Sequence, residues 1–351
     1  MVFSMRFFFG KGRQTLELEA RRKVIIDCDP GIDDALALML AVRSPELDIL
    51  GITIVSGNIE AMQCYWNAKK VLALMDREDI PVHLGSRAPL YTPLETAEDT
   101  HGDDGLGGLG ATLAYKPPVD TTAVDFILET LEREEAGTVS IIAIGPLTNV
   151  AAARKQAPET LARVQEMVSM GGAFRCSGNV SPVAEFNYWV DPDAARDVLT
   201  GLKCPLTMVG LDVTWPVVFT PLHAGLLSQF DDPLADFIVG MMRFYTDFHW
   251  KEQHILGSVI NDPVAVAYFI DRSLCCGTDY PVTVVTGGEA RGMSLVDARY
   301  YPEKRPNCRV LTQVDADGVL AFVLTRLFPE WEEDITECIK INGKRGAWTH
   351  E

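Results

Sequence analysis

The sequence predicts an α/β fold, a mostly parallel central β-sheet flanked by helices in a Rossmann-like plan. Three observations carry that prediction. Strand-like and helix-like segments alternate over the first two-thirds of the chain. The strand-like segments are continuously apolar rather than alternating, as strands covered on both faces are. A cluster of carboxylates directly follows the first of them, and in open α/β sheets ligands bind beyond the carboxyl ends of the strands.

Residues 23–28 (KVIIDC) form a short apolar run ending on acidic residues and predict a buried strand. From Gly31 the pattern IDDALALMLAV is helical, with apolar residues on most faces, and Ser44-Pro45 stops it. LDILGITIVSG is the next strand, residues 61–75 the next helix, and IPVHLG a third strand. The alternation continues with a helix near 121–134, a strand at 139–144, a helix after Leu147 and a strand at 166–170. A helix at 192–200 and a strand at 205–211 follow. The rhythm then breaks: residues 222–256 read as mostly helical, and 281–315 contain strands such as PVTVVTG and RVLTQVDA.

The 351 residues, 47% hydrophobic and 23% charged, are enough to bury a large core. No Ser/Gly/Pro-rich linker divides them, so one domain is expected over 23–351, preceded by an extension at 1–22. The start of that extension has an apolar run but neither a preceding basic region nor a small-residue cleavage site, so it reads poorly as a signal peptide. No apolar stretch approaches the ~18 residues that a bilayer span requires. A net charge of −18 opposes binding to nucleic acid or anionic membrane and favours a neutral small molecule or a metal cation. The eight cysteines include no C-x-x-C pair, which disfavours zinc and fits a reducing cytoplasm.

Asp27, Asp29, Asp33 and Asp34 place four carboxylates in eight residues around Pro30-Gly31, at a strand-to-helix turn. Like charges this close raise one another's pKa unless a cation compensates. An oxygen-rich cluster suits a hard cation such as Ca²⁺ or Mg²⁺. Carboxylates at a helix N-terminus also gain from the helix dipole, which would account for one or two of them but poorly for four.

The segment from Asp27 to Asp34 strongly resembles the DxDPGxDDA signature of the inosine-uridine-type nucleoside hydrolase family. Further matches follow in order: Val55-Ser56-Gly57-Asn58, His101-Gly102, Gly145-Pro146-Leu147-Thr148-Asn149, Met170-Gly171-Gly172, Gly178-Asn179, Ala184-Glu185-Phe186-Asn187, Asp191-Pro192, Val209 to Thr214, and Asp262-Pro263. Together they cover about residues 23–325. The resemblance implies a Ca²⁺-dependent enzyme that uses water to cut the bond between ribose and a nucleobase. Through it, Asp29, Asp34, Asp262 and the backbone carbonyl of Ile144 are expected to hold Ca²⁺. Asp29 would also be the general base, oriented by Asn58. Asp33, Met170, Asn179, Glu185, Asn187 and Asn261 would line the substrate site. Taken singly, Asn58 and Asn179 follow glycines and read equally well as turn residues, and Asn149 reads as an organiser of its own turn. Family members are commonly dimers or tetramers, and the expected partners are small nucleosides, in salvage.

One position departs from the pattern. In the best-studied branch of the family a His before the last metal-binding Asp protonates the leaving base, and here that residue is Asn261. Candidates for the missing helper are Tyr245, His249, Trp250 and His254 in FYTDFHWKEQH, and His101 in the glycine-rich HGDDGLGG loop, which itself reads as a mobile flap. Trp250 would act by stacking on a purine, although Phe244, Phe248 and Trp250 also fit a packed helix face. The haloacid-dehalogenase-type phosphatases also carry DxD after a first strand, but Pro30-Gly31-Ile32-Asp33-Asp34 and the downstream matches set this chain apart. Two alternatives remain: a hydrolase of an unusual N-riboside with a good leaving group, and a non-catalytic nucleoside- or ribose-binding protein.

Overall fold

The computed structural model describes residues 21–110, 121–299 and 305–346. Six strands follow the predicted rhythm: Arg22–Cys28 (β1), Leu47–Ile54 (β2), Val82–Leu84 (β3), Val139–Ala143 (β4), Met167–Met170 (β5) and Leu206–Val209 (β6). Then come a short antiparallel pair, Val218–Phe219 (β7) with Ser258–Val259 (β8), and Cys275–Tyr280 (β9). A hairpin, Val282–Val284 (β10) with Ser294–Val296 (β11), precedes Cys308–Val314 (β12). The main sheet runs β3-β2-β1-β4-β5-β6-β12-β9, parallel throughout except for β9, which pairs antiparallel with β12.

Helices cover both faces of this sheet, which explains why β4, β5 and β6 are buried at every residue. One core lies beneath the helices Ile32–Arg43, Ala61–Leu74, Asn261–Ile270 and Ala316–Leu327. The other lies beneath Ala123–Arg133, Thr148–Gln156 and Pro192–Gly201. The helix Ile32–Arg43 is buried from Ile32 to Ala41, so its all-round apolar pattern marks a central helix rather than an amphipathic surface one.

The sequence reading needs three adjustments. First, β1 begins at Arg22, and the Arg21 guanidinium donates to the Leu47 carbonyl at 2.6 and 3.0 Å, so residues 21 and 22 belong to the fold. The rest of the expected extension, residues 1–20, lies outside the described residues. Second, PVTVVTG supplies a strand to the separate hairpin and not to the main sheet. Third, the antiparallel edge strand CCGTDY escaped the reading because half of its residues are polar or glycine and its outer side chains face solvent. Among the described residues, no helix is long and apolar enough to cross a membrane.

The strand order reverses between β1 and β4: from β1 the chain first builds outward through β2 and β3, then returns to the other side of β1. The loops after the two strands diverge there and leave a crevice.

Candidate active site

A cavity of about 430 Å³ opens over the carboxyl ends of the strands beside that switch point. The loop after β1 supplies Asp29, Asp33 and Asp34, all buried. Asp34 closes the first turn of its helix: its Oδ2 accepts from Gly31 N at 3.0 Å and its Oδ1 from Asp29 N at 3.1 Å. One side chain therefore caps the helix and holds a negative charge at the turn.

Asp29 lies between two glycines. A Cβ on Gly57 would stand 2.1 Å from its Oδ2, and one on Gly145 would stand 2.5 Å from its Oδ1. Its Oδ2 accepts from Asn58 N at 2.7 Å, whereas Oδ1 is buried and has no hydrogen-bond partner. Asn58 also spans the turn with its side chain, donating through Nδ2 to the Asp29 carbonyl at 3.1 Å and to Asp34 Oδ2 at 2.8 Å.

From the far end of the chain, the first turn of helix Asn261–Ile270 brings Asp262. Oxygens of Asp33, Asp34 and Asp262 lie within 4.8 Å of one another, all three residues buried. Burial, followed by mutual repulsion, pushes the carboxyls of Asp29, Asp34 and Asp262 well above the usual carboxylate range. Anionic oxygens that face one another, one of them orphaned, fit a hard divalent cation. The converging trio contains Asp33, while Asp29, assigned by the resemblance, stands beside it with one oxygen held by Asn58 N and the other unpartnered. The Ile144 carbonyl accepts from Asn187 Nδ2 at 2.9 Å, and its second lone pair remains for another partner.

Opposite the acids, helix Phe186–Val190 positions the next group. Glu185 is its N-cap: Oε1 accepts from Asn187 N at 2.7 Å, and Oε2 from Gly172 N at 2.9 Å and Tyr188 N at 3.2 Å. Burial still raises its pKa to about 7, against the lowering effect of those three donors. Asn187 is braced further by the Met170 carbonyl at 3.3 Å, and Met170 and Asn187 both line the cavity. Asn179 is exposed on the rim, its Oδ1 accepting from Phe186 N at 3.0 Å.

Asp27, the fourth acid of the cluster, has no place in the site. Its Oδ1 accepts from Thr53 Oγ1 at 2.6 Å and Asn149 Nδ2 at 2.8 Å, and burial raises its pKa to about 6. Asn149 does more than organise its own turn: it ties Asp27, the Ile54 carbonyl and Ser86 N together.

The remaining wall comes from helix Pro233–Gln253, where Tyr245, Phe248, His249 and Glu252 recur at helical spacing and line the cavity with Gln253. Trp250 falls outside this stripe and is 55% exposed, and His254 is exposed as the helix C-cap at φ 57°. The structure therefore brings neither of these two candidates to the cavity. Phe248, Glu252, Gln253, Trp189 and Trp215 line it without having been singled out as site residues. Counting three, seven and eight residues on from Tyr245 would have found those on the helix.

His101 is buried and lines the cavity 5.3 Å from the Tyr245 ring, with its Nδ1 accepting from Ile32 N at 3.1 Å. His249 Nδ1 donates to the Tyr245 carbonyl at 2.8 Å. Burial lowers the pKa of both imidazoles. The glycine-rich loop after His101 is wrapped around Asp104, whose carboxylate accepts from the backbone N–H groups of Leu106, Gly108 and Gly110.

Residues 24–321 match the family model described as inosine-uridine preferring nucleoside hydrolase. The protein of that name from Leishmania major is 36% identical over 308 residues, covering 87% of this chain and 97% of the relative. A pyrimidine-specific ribonucleoside hydrolase, RihA, from Escherichia coli is 36% identical over 306 residues, with the same two coverages, 87% and 97%. Among solved structures, a plant nucleoside hydrolase superposes with a TM-score of 0.83 at 33% identity, covering 88% of this chain and 99% of the other. A purine-preferring ribonucleoside hydrolase from Gardnerella vaginalis superposes at 0.82 and 30% identity, covering 91% of this chain and 100% of the other.

Proposed function

Since this chain belongs to the inosine-uridine preferring nucleoside hydrolase family, we propose that it hydrolyses the N-glycosidic bond of ribonucleosides to free base and ribose, with Ca²⁺ at its carboxylate cluster. The observation that carries this reading is the orphaned, buried Asp29 Oδ1 beside the converging oxygens of Asp33, Asp34 and Asp262.

Asp34, Asp262 and the Ile144 carbonyl would hold the cation, with Asp29 and Asp33 beside them. An all-oxygen donor set favours Ca²⁺ over zinc or copper. When bound, the ion supplies positive charge that acidifies a water and anchors sugar hydroxyls. Asp29 takes the proton from the attacking water, its free oxygen being the acceptor and its other oxygen held by Asn58. Asp33, Glu185, Asn187 and Asn179 receive the ribose hydroxyls, a set of acceptors and amides matched to a polyhydroxylated ligand. Positive charge then develops on the sugar as the base departs, as in O-glycoside cleavage. The buried carboxylates stabilise that charge. The free state of all eight thiols supports a cytoplasmic enzyme of nucleoside salvage. A dimer or tetramer is the assembly expected of it.

The test uses p-nitrophenyl riboside, inosine and uridine, with and without EDTA. We expect metal-dependent release of the leaving group, lowered by about 10²–10⁴-fold in Asp29→Asn. Measurable ribose binding without turnover of any riboside would sink the reading and favour a binding protein.

A further inference from the structure

Residue 261 stands where the best-studied branch of the family places an acid, and this chain has there an amide that offers a hydrogen-bond acceptor in place of a proton. Asn261 Nδ2 donates to Asp33 Oδ2 at 3.2 Å. That bond fixes the amide's orientation, because the reverse would set two lone-pair oxygens against each other. Its Oδ1 is buried and has no partner. Gln253, also on the cavity wall, has a second buried and unpartnered amide oxygen, Oε1. Glu252 adds a carboxylate next to it.

Among the described residues lining the cavity there is no Lys or Arg. Glu95, on the rim, is paired with Arg291 at 3.1 Å, so its charge is already answered, whereas Glu252 has no such partner among the described residues. Neither imidazole is set up as the acid: burial disfavours the protonated form of both, and the Nδ1 of each is committed to a backbone group. Tyr245, Phe248, Trp189 and Trp215 complete the wall with aromatic rings, whose faces attract cations.

We propose that this site is specific for N-ribosides whose base is already a cation, such as a quaternised pyridine or an N7-alkylated purine. The proposal rests on the hydrolase reading above and names its substrate class. The C1′–N bond breaks with both electrons passing to the ring nitrogen, which cancels the positive charge of the ring. The oxygen of water bonds to C1′ and its proton goes to Asp29. The base leaves neutral without taking up a proton, so the step needs no acid at residue 261. Glu252 and the two orphaned amide oxygens act on the bound cation, before its charge moves to the sugar. Their contribution therefore falls on KM more than on kcat.

Nicotinamide riboside and 7-methylguanosine are the cationic probes, inosine and guanosine the neutral ones. p-Nitrophenyl riboside, a neutral substrate whose leaving group needs no acid, is the reference. We expect kcat/KM for nicotinamide riboside to exceed that for inosine by about 100-fold or more, the range that acid catalysis would otherwise supply. Glu252→Gln should raise KM for nicotinamide riboside about two- to fivefold, with the ratio of its kcat/KM to that of p-nitrophenyl riboside falling in step. Asn261→His should reverse the preference by raising inosine turnover. Inosine and nicotinamide riboside turned over within about tenfold of each other, well short of what acid catalysis is worth, would overturn the proposal. So would a Glu252→Gln variant with an unchanged ratio. If p-nitrophenyl riboside is hydrolysed and the cations are not preferred, this inference alone fails. If no riboside is hydrolysed, the hydrolase reading fails with it.

Discussion

The two ends of the cavity are built differently. At the acid end, Asp29 lies in the turn after β1, Asp34 in the first turn of the helix that follows it, and Glu185 and Asn187 at the start of helix Phe186–Val190; all are buried and held mainly by backbone groups. At the opposite end, Tyr245, His249, Glu252 and Gln253 ride on the last turns of a long helix, which closes on a left-handed residue and leads into an exposed segment. Gln253 and Asn261, each with a buried amide oxygen that has no partner, line the space between the ends. The acid end is preorganised for one chemistry. The helical end is held by fewer constraints, which leaves it the natural place for base preference to be set.

The sharpest way to break this contrast is to add one methyl group at the acid end. Gly145→Ala would bring a Cβ within 2.5 Å of Asp29 Oδ1 and 2.9 Å of Val55 Cγ1. Displacing a reacting group by such an amount costs about 100-fold in rate, so kcat for p-nitrophenyl riboside should fall by that factor with secondary structure retained by circular dichroism. Asn187→Ala comes next. It strands the Ile144 carbonyl and removes a ribose partner, so kcat/KM should drop by about ten- to a hundredfold, an effect of about 1–3 kcal/mol. If 5′-deoxy and parent ribosides suffer alike, Asn187 does not read the 5′-hydroxyl.

A titrating group remote from both ends separates acid effects on the fold from those on the site. His223 is fully buried, its Nδ1 accepts from Thr220 N at 3.0 Å, and its Nε2 has no partner. Burial pushes its pKa down to about 4. The unfolded chain takes up this proton near pH 6.5, while the folded protein resists until about pH 4. The stability it contributes is therefore present above pH 6.5 and lost as the pH falls toward 4, on the order of 3 kcal/mol in all. Urea denaturation at pH 7 and pH 4.5 should show a shallower loss for His223→Gln than for the parent. Parallel losses would assign the acid sensitivity to other groups. The smallest effect belongs to Trp250→Ala: with the indole 55% exposed and off the cavity wall, kcat/KM should change by less than about twofold. A larger loss would mean that the helical end folds inward over substrate.

What was legible in the sequence was local. The strand ending at Cys28, the proline-glycine turn and its acids lie within a dozen residues, and the apolar runs of β4 to β6 identify buried parallel strands unaided. The meeting of Asp33, Asp34 and Asp262 was not readable from spacing, because Asp262 arrives from a helix over 200 residues later. Only the resemblance put Asp262 together with the acids after β1. Trp250 and His249 are adjacent in sequence, and only the phase of their helix decides which one meets the cavity. By its chemistry the Asn261 amide can both donate and accept. Its bond to Asp33 makes it an acceptor, and no sequence pattern reports that orientation.

Glu185 links the chemistry to the scaffold. The carboxylate proposed to meet the sugar is also the one that begins helix Phe186–Val190 and gathers three backbone N–H groups, two from that helix's first turn and one from the loop after β5. Random mutagenesis scored for expression and the same library scored for turnover should therefore lose overlapping variants at this position. At Glu252 the two scores should part. A lineage drifting toward a new base can change the exposed Glu252 at little cost to the fold, but it cannot replace Glu185 without also loosening its own backbone.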